Sequence, residues 1–159
     1  MNFRTIICSS IVSLFFAMPV FAADSVQVVS FSEQNSDDIS IKLTGSKVIT
    51  DDFSFKIPRE WSSELVMTQN EDSYDIYDRT SYEKDESGLL FSIVSLEDSD
   101  YRFLEECTIL GFYGNKTYVL VPYFSEIYDD VESDEFKACQ EAFTSIKESF
   151  VSYIKETAT

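Results

Sequence analysis

The densest group of acidic side chains lies in the segment 126–135, which reads EIYDDVESDE. Its central carboxylates, Asp129, Asp130 and Glu132, carry the oxygen ligands that calcium prefers. The segment has no glycine for the sharp turn of an EF-hand loop and does not follow the D-x-[DN]-x-[DN]-G pattern. We therefore expect no metal site and interpret these residues as a solvated loop before a helix, with low-affinity calcium binding as an alternative function.

The chain contains no histidine. This excludes Ser-His-Asp triads, Cys-His dyads and histidine-bound zinc or copper. No G-x-S-x-G motif occurs, and the glycines are too dispersed for a phosphate-binding loop. Two carboxylates alone can hydrolyse a glycosidic bond, but nothing singles out a pair among the 29 acidic residues. We expect a protein that is not an enzyme and has no cofactor, with a carboxylate-based hydrolase as a further alternative.

Four tyrosines surround a predicted hairpin and the loop that follows it: Tyr113, Tyr118, Tyr123 and Tyr128. Tyrosine is large, rigid and amphipathic, and it is enriched at protein interfaces. The alternative is that these rings pack in the sheet with their hydroxyls at its rim. If the protein has a binding surface, we expect it here.

Two cysteines follow the N-terminal segment, Cys107 and Cys139. In an exported protein they could form a disulfide. Closing a loop of 139 − 107 = 32 residues would stabilise the fold by about 3–4 kcal/mol in the chain-entropy model. Two buried free thiols are the other interpretation, because cysteine often packs as a small hydrophobic residue. The sequence leaves both open.

Residues 1–22 read MNFRTIICSSIVSLFFAMPVFA and are typical of a secretory signal peptide. Arg4 supplies positive charge, an apolar run follows, and small residues at positions 20 and 22 predict cleavage between Ala22 and Ala23. The apolar run is too short to span a bilayer. We therefore expect a secreted or otherwise extracytoplasmic protein that does not insert into the membrane after cleavage.

The remaining chain is strongly acidic. Loss of Arg4 leaves 11 basic and 29 acidic residues, a formal charge of 11 − 29 = −18. Such a charge repels nucleic acid phosphates and anionic lipids. It excludes nucleic acid as a partner and favours solubility, cations or a basic partner, and we expect an extracellular or cell-envelope protein as the partner.

The segment 53–61, FSFKIPREW, predicts the first strong strand of the fold. Phe53, Phe55 and Ile57 alternate with polar residues and should form a buried face. Pro58 cannot donate a ladder hydrogen bond and ends the strand. Trp61 should fold back beside that face. A second, polar strand is expected around Tyr74, Ile76, Tyr77 and Tyr82.

Three later segments have apolar residues on both faces. They are Leu89–Leu96, Cys107–Tyr113 and Lys116–Phe124, and the last two flank Gly114-Asn115, a signal for a two-residue hairpin. Because a strand covered from both sides has this pattern, we predict central strands, one of which begins at Cys107.

The C-terminal region predicts a long helix. Ser133 is a favourable N-cap, and Asp134 and Glu135 lie in the first turn, where the helix dipole favours acidic groups. An apolar stripe follows at helical spacing, formed by Phe136, Cys139, Phe143, Ile146, Phe150 and Ile154. Together these patterns predict an α+β fold, with a mostly antiparallel sheet and this helix on one face. Residues 47–157 should form a single domain, preceded by a lead-in or extra strands over 23–46.

Three segments resemble the PsbP-like class of exported α/β/α sandwiches, a fold group that includes DcrB-type periplasmic proteins. They are Asp52–Trp61 with its F-x-F-x-I-P-x-x-W pattern, Ser81–Ile93 (SYEKDESGLLFSI) and Gly114–Val121 (GNKTYVLV). More narrowly they are similar to small secreted domains of Gram-positive bacteria. The resemblance covers about residues 50–155 and implies an accessory or binding role without a shared catalytic motif.

Overall fold

The computed structural model of the chain describes residues 26–28, 40–97, 100–104 and 106–153. The predicted signal peptide, its cleavage site and Ile154 lie outside these residues. The strands are β1 (Val26–Val28), β2 (Ser40–Lys42), β3 (Lys47–Ile49), β4 (Phe53–Lys56), β5 (Leu65–Gln69), β6 (Ser73–Asp78), β7 (Leu89–Glu97), β8 (Thr108–Tyr113), β9 (Lys116–Pro122) and β10 (Val151–Ser152). The helices are α1 (Arg79–Asp85), α2 (Phe124–Ile127) and α3 (Asp134–Ser149), with 3₁₀ helices at Ser62–Glu64 and Asp100–Phe103.

The strands form two sheets. The smaller has the order β1-β3-β4-β10, and the larger has the order β2-β5-β6-β7-β9-β8. Within the described residues, β1 and β3 are parallel and the other pairs are antiparallel. The predicted α+β class with a C-terminal helix packed on a sheet is confirmed, although the strands divide into two sheets rather than one. β1 and β2, from the segment 23–46, contribute one strand to each sheet.

The core lies between the larger sheet and a second layer made of the smaller sheet and α3. Phe53 of β4 packs against Tyr74 of β6 and Tyr118 of β9, with ring centroids 4.8 and 5.7 Å away. Phe143 of α3 packs against Phe91 of β7 at 6.3 Å. We call the face of the larger sheet that meets this layer the inner face.

The segment 53–61 has the role that its alternation predicts. Phe53, Phe55 and Ile57 are buried in the core, and Trp61 is partly buried against it. The layer also has a polar seam, because the Ser145 hydroxyl of α3 donates to the Lys56 carbonyl at 3.0 Å. The Lys56 amide in turn donates to the Ser149 hydroxyl at 2.7 Å. The end of α3 is thereby bound to the end of β4.

Tyr82 lies in α1 and not in the predicted strand. Asp78 caps the start of this helix, and its carboxylate accepts from the Ser81 amide at 2.8 Å. Glu86 caps the end, where its left-handed backbone (φ 58°) lets its amide donate to the Tyr82 carbonyl. Aspartate is a favoured N-cap residue, and the strand prediction does not take Asp78 into account as one. α1 lies on the outer face, where the Tyr82 ring is 4.9 Å from that of Tyr77.

β8 is an edge strand, so the prediction of a central strand beginning at Cys107 is wrong. β7 and β8 both pair antiparallel to β9 and are therefore parallel to each other. A connection between parallel strands must cross the sheet, and this one contains the 3₁₀ helix Asp100–Phe103, which contacts β7. The crossover covers part of the outer face and leaves β8 at the end of the sheet.

The C-terminal helix begins as predicted and ends earlier. The Ser133 hydroxyl accepts from the Phe136 amide at 3.1 Å, as expected of an N-cap. The helix ends at Ser149, because Phe150 adopts an extended conformation and the next two residues form β10 against β4. The Tyr153 amide then donates to the Asp52 carbonyl at 3.0 Å. The apolar stripe thus continues from helix into strand at Phe150, since an extended chain places the ring on the same core.

Candidate functional site

The four tyrosines of the predicted binding surface occupy different environments. Tyr118 lies in the core, and Tyr113 and Tyr128 are partly buried against it. Burial raises the pKa of Tyr128 to about 12, with further contributions from Cys139 and from the carboxylates of Asp78 and Glu135. Burial also raises the pKa of Tyr118. Tyr113, Tyr118 and Tyr128 therefore pack against the core to different degrees, and Tyr123 lines a surface depression.

The acidic segment 126–135 forms local hydrogen bonds and an ion pair. The Asp130 carboxylate accepts from the Glu132 amide at 2.9 Å, and the Asp130 carbonyl accepts from the Ser133 amide at 3.0 Å. Glu132 forms an ion pair with Lys137 at 2.9 Å. Asp129, Asp130 and Glu132 are all exposed. In the part of the chain that the structure describes, no three acidic or cysteine side chains are grouped closely enough to hold a metal ion.

Both cysteines are free thiols in the structure. Cys139 is fully buried on the core side of α3, and burial raises its pKa to about 12, with Asp78 and Glu135 adding to the shift. Cys107 is half-buried before β8, where its thiol donates to the Tyr101 carbonyl at 3.9 Å. The thiol of Cys139 is therefore a poor nucleophile, and that of Cys107 is the more accessible of the two.

A buried carboxylate that sequence reasoning missed lies on the outer face of the larger sheet. Asp75 of β6 is 9% exposed, and its Oδ1 accepts from the Ser92 hydroxyl at 2.6 Å. Its Oδ2 accepts from the Asn70 side-chain amide at 2.6 Å. Within the described ranges no other Asp or Glu is buried, so Asp75 has no buried carboxylate partner for acid–base chemistry. Its alternation with Tyr74 and Ile76 places it opposite the core, which is the signal that could have found it.

Four exposed apolar side chains lie on the edge strand and on the crossover beside it. They are Phe103 (84% exposed), Leu104, Ile109 (41%) and Phe112 (65%), and together we call them the β8 surface. Ile109 pairs with Val119 and Phe112 pairs with Thr117, so both project from the outer face of the sheet. Apolar residues on both faces of β8 predict a strand that is buried on both faces. In the structure the outer-face side chains Ile109 and Phe112 are instead exposed.

A depression of about 410 Å³ adjoins the β8 surface. Its lining residues come from the crossover, the end of β9 and α2: Leu104, Glu106, Val121, Pro122, Tyr123, Ser125 and Glu126. Two of these side chains are acidic and none is basic. A lining that combines apolar and acidic side chains suits a partner that brings both apolar and positively charged groups.

Within the described residues, the β8 surface and its depression combine exposed apolar side chains, an edge strand and two acidic side chains. The helices in this part of the chain are all too short or too polar to cross a membrane. No protein-family model, no curated protein and no solved structure matches the chain.

Proposed function

We propose that the protein is an exported, non-enzymatic binding or accessory domain that recognises a protein or another component of the cell envelope. The observation that carries this proposal is the β8 surface. Scattered apolar side chains are normal on a protein, but several on one edge strand and on the segment that leads into it are more typical of an interaction site. Phe103 and Phe112 are the largest such side chains and are both well exposed.

Export is supported by the signal-peptide pattern of residues 1–22 and by the acidic composition. The proposal includes the relationship to PsbP-like domains, which rests on the three quoted motifs. A binding role is also the one that this relationship implies. The absence of histidine from the whole sequence supports a role without the common nucleophile–base mechanisms.

The proposal is tested with a photo-crosslinking amino acid placed at Phe103, the most exposed side chain of the β8 surface. The protein is incubated with secreted and envelope fractions of the producing cell, and crosslinked species are identified by mass spectrometry. We expect a small number of defined adducts that are lost in the double variant Ile109→Ser/Phe112→Ser. Aromatic and aliphatic anchors commonly dominate interface energetics, so these two changes should remove most of the affinity.

The matched control is Val131→Ser, which removes another exposed apolar side chain (59% exposed) from the loop before α3. It should leave the adducts unchanged. Adducts that persist in Ile109→Ser/Phe112→Ser, or their absence from every protein and glycan fraction, would contradict the proposal.

A further inference from the structure

We propose that the partner is an extended, positively charged segment of another protein, which adds to the larger sheet as a new strand beside β8. This inference rests on the proposed function and specifies the chemistry of its partner. It follows from three features of the same site: the free edge of β8, the apolar side chains beside that edge, and the acidic surroundings.

The free edge is the first feature. In the described residues β8 has a strand neighbour, β9, on one side only. The backbone groups on the other side make no ladder hydrogen bond within these residues, so they can pair with an incoming chain. β10 approaches β8 on the inner face, where Phe150 and Ser152 lie beside Gly111. Edge strands are commonly protected by charged side chains or proline, yet Thr108–Tyr113 (TILGFY) contains neither. A register shift between Ile109 and Gly111 is the one protective device that the strand carries.

The apolar side chains are the second feature. Ile109 and Phe112 project on the outer face, and Leu104 stands over the neighbouring β9 near Val121. A strand added beside β8 would place every second side chain on this face, within reach of Ile109 and Phe112. The partner therefore needs apolar residues at alternate positions, and its main chain supplies the rest of the contact.

Charge is the third feature, and it favours a positively charged partner. Glu106 and Glu126 line the depression, whereas Lys116 faces Glu97 in the register of β7 and β9. Arg102 is the exposed basic residue on the crossover. The whole chain adds a formal charge of −17, which attracts a cationic segment and accelerates its encounter.

The same observations argue against a second copy of this chain as the occupant. Two copies would each bring the same negative charge to the contact, and the register shift disturbs the regular edge that self-pairing requires. A short segment of another protein needs to match only the regular residues on one side of that shift. The stretches on its two sides are Thr108–Ile109, near Glu106, and Gly111–Tyr113, next to the hairpin turn.

The test measures binding of short synthetic peptides to the folded protein by isothermal titration calorimetry. The probe alternates valine and lysine, and the charge control alternates valine and glutamate. A third peptide repeats the valine–lysine sequence with N-methyl groups at alternate amides, which removes main-chain donors and keeps the side chains. We expect binding of the first peptide alone, together with slower hydrogen–deuterium exchange of the β8 amides.

Two sets of variants separate the contributions of the surface. Phe112→Ser should weaken binding about tenfold or more, because the partner can no longer bury that ring. Glu106→Gln/Glu126→Gln should weaken it about fivefold at low salt, as two rim charges of roughly 0.5 kcal/mol each would predict. Glu141→Gln/Glu148→Gln, on the exposed side of α3, changes the net charge equally and should have a much smaller effect.

Each other outcome overturns the inference in a distinguishable way. Equal binding of the N-methylated peptide would mean that general charge attraction holds the peptide and strand addition is wrong. Concentration-dependent dimers in sedimentation that are lost in Phe112→Ser would identify a second copy as the occupant. If none of the peptides binds while crosslinking at the β8 surface still depends on Ile109 and Phe112, the proposed function stands and this inference fails.

Discussion

At the scale of single residues, burial decides how the two cysteines behave. Cys139 faces the core among apolar side chains, where the charged thiolate is disfavoured, and its pKa rises to about 12. Cys107 is half-buried before an edge strand. Thiol reagents attack the thiolate, so the two positions should differ greatly in reactivity.

We expect a thiol reagent at neutral pH to modify Cys107 quickly in the native protein, and Cys139 only after unfolding. The labelled positions are identified by peptide mass spectrometry, which also separates them from Cys8. Cys107→Ser should abolish the fast reaction and leave the melting temperature nearly unchanged. Failure of both residues to react in denaturant until a reductant is added would show a disulfide instead.

At the scale of elements, two glycines in the left-handed region set the geometry of the connections between strands. Gly114 (φ 59°) lies in the two-residue turn between β8 and β9, and a Cβ atom there would have no neighbour within 4 Å. Gly88 (φ 82°) lies between α1 and β7, and a Cβ atom there would be 2.6 Å from the Cβ of Ser81. At Gly114 only the left-handed backbone disfavours a side chain. At Gly88 the close approach of α1 also leaves no room for a Cβ atom.

Gly114→Ala should therefore reduce the free energy of unfolding by about 1–2 kcal/mol, the cost of a left-handed conformation for a residue with a Cβ atom. Gly88→Ala should cost clearly more, because α1 must also move away from the chain before β7. Urea denaturation measures both values. Gly114→Asn is the control and should recover most of the loss, since asparagine tolerates this conformation. Equal losses at the two glycines would contradict the close approach of α1.

The elements also differ in how well the sequence predicts them. The core face of β4, the N-cap at Ser133 and the hairpin at Gly114-Asn115 follow from local alternation, capping and turn chemistry, and each is present. The sequence predicts Tyr82 in a strand with Tyr74, Ile76 and Tyr77, whereas Asp78 caps a helix there. The helix stripe continues to Phe150 in the sequence, but pairing of β10 with β4 ends the helix first.

At the scale of the whole molecule, Phe53 joins the two layers. Its ring lies within 6.1 Å, between centroids, of the rings of Phe55, Tyr74, Tyr118 and Phe150. These partners come from both sheets and from the end of α3. Loss of this ring should affect every layer of the fold.

Phe53→Ala should reduce the free energy of unfolding by about 3–5 kcal/mol, because it removes buried apolar contacts and leaves a cavity. Phe112→Ala removes the same atoms from an exposed position and should change that free energy by less than about 0.5 kcal/mol. Chemical denaturation of the two variants under identical conditions gives the comparison. A large decrease in the free energy of unfolding of Phe112→Ala would show that the Phe112 ring is buried, which would contradict an exposed β8 surface.

The candidate site was predicted in part. The sequence directed attention to Tyr113–Tyr128, and Tyr123 does line the depression beside β8. Phe103, Ile109 and Phe112 were not singled out, because an apolar residue in a sequence indicates burial far more often than an exposed contact. The place of Asp75 on the outer face follows from the alternation of β6, but its burial and its hydrogen bonds to Ser92 and Asn70 depend on neighbouring segments.

By itself, the sequence determined the α+β class, the buried face of β4, the hairpin turn, the start of α3 and the exclusion of histidine-based chemistry. These depend on residue type and on spacing along a few turns or strand positions. The tertiary structure alone decided that the strands form two sheets, that β9 lies between β7 and β8, and that β8 is at the edge. The physical reason is that side-chain periodicity records which faces of a strand are apolar, whereas strand order and cover depend on pairing between distant segments.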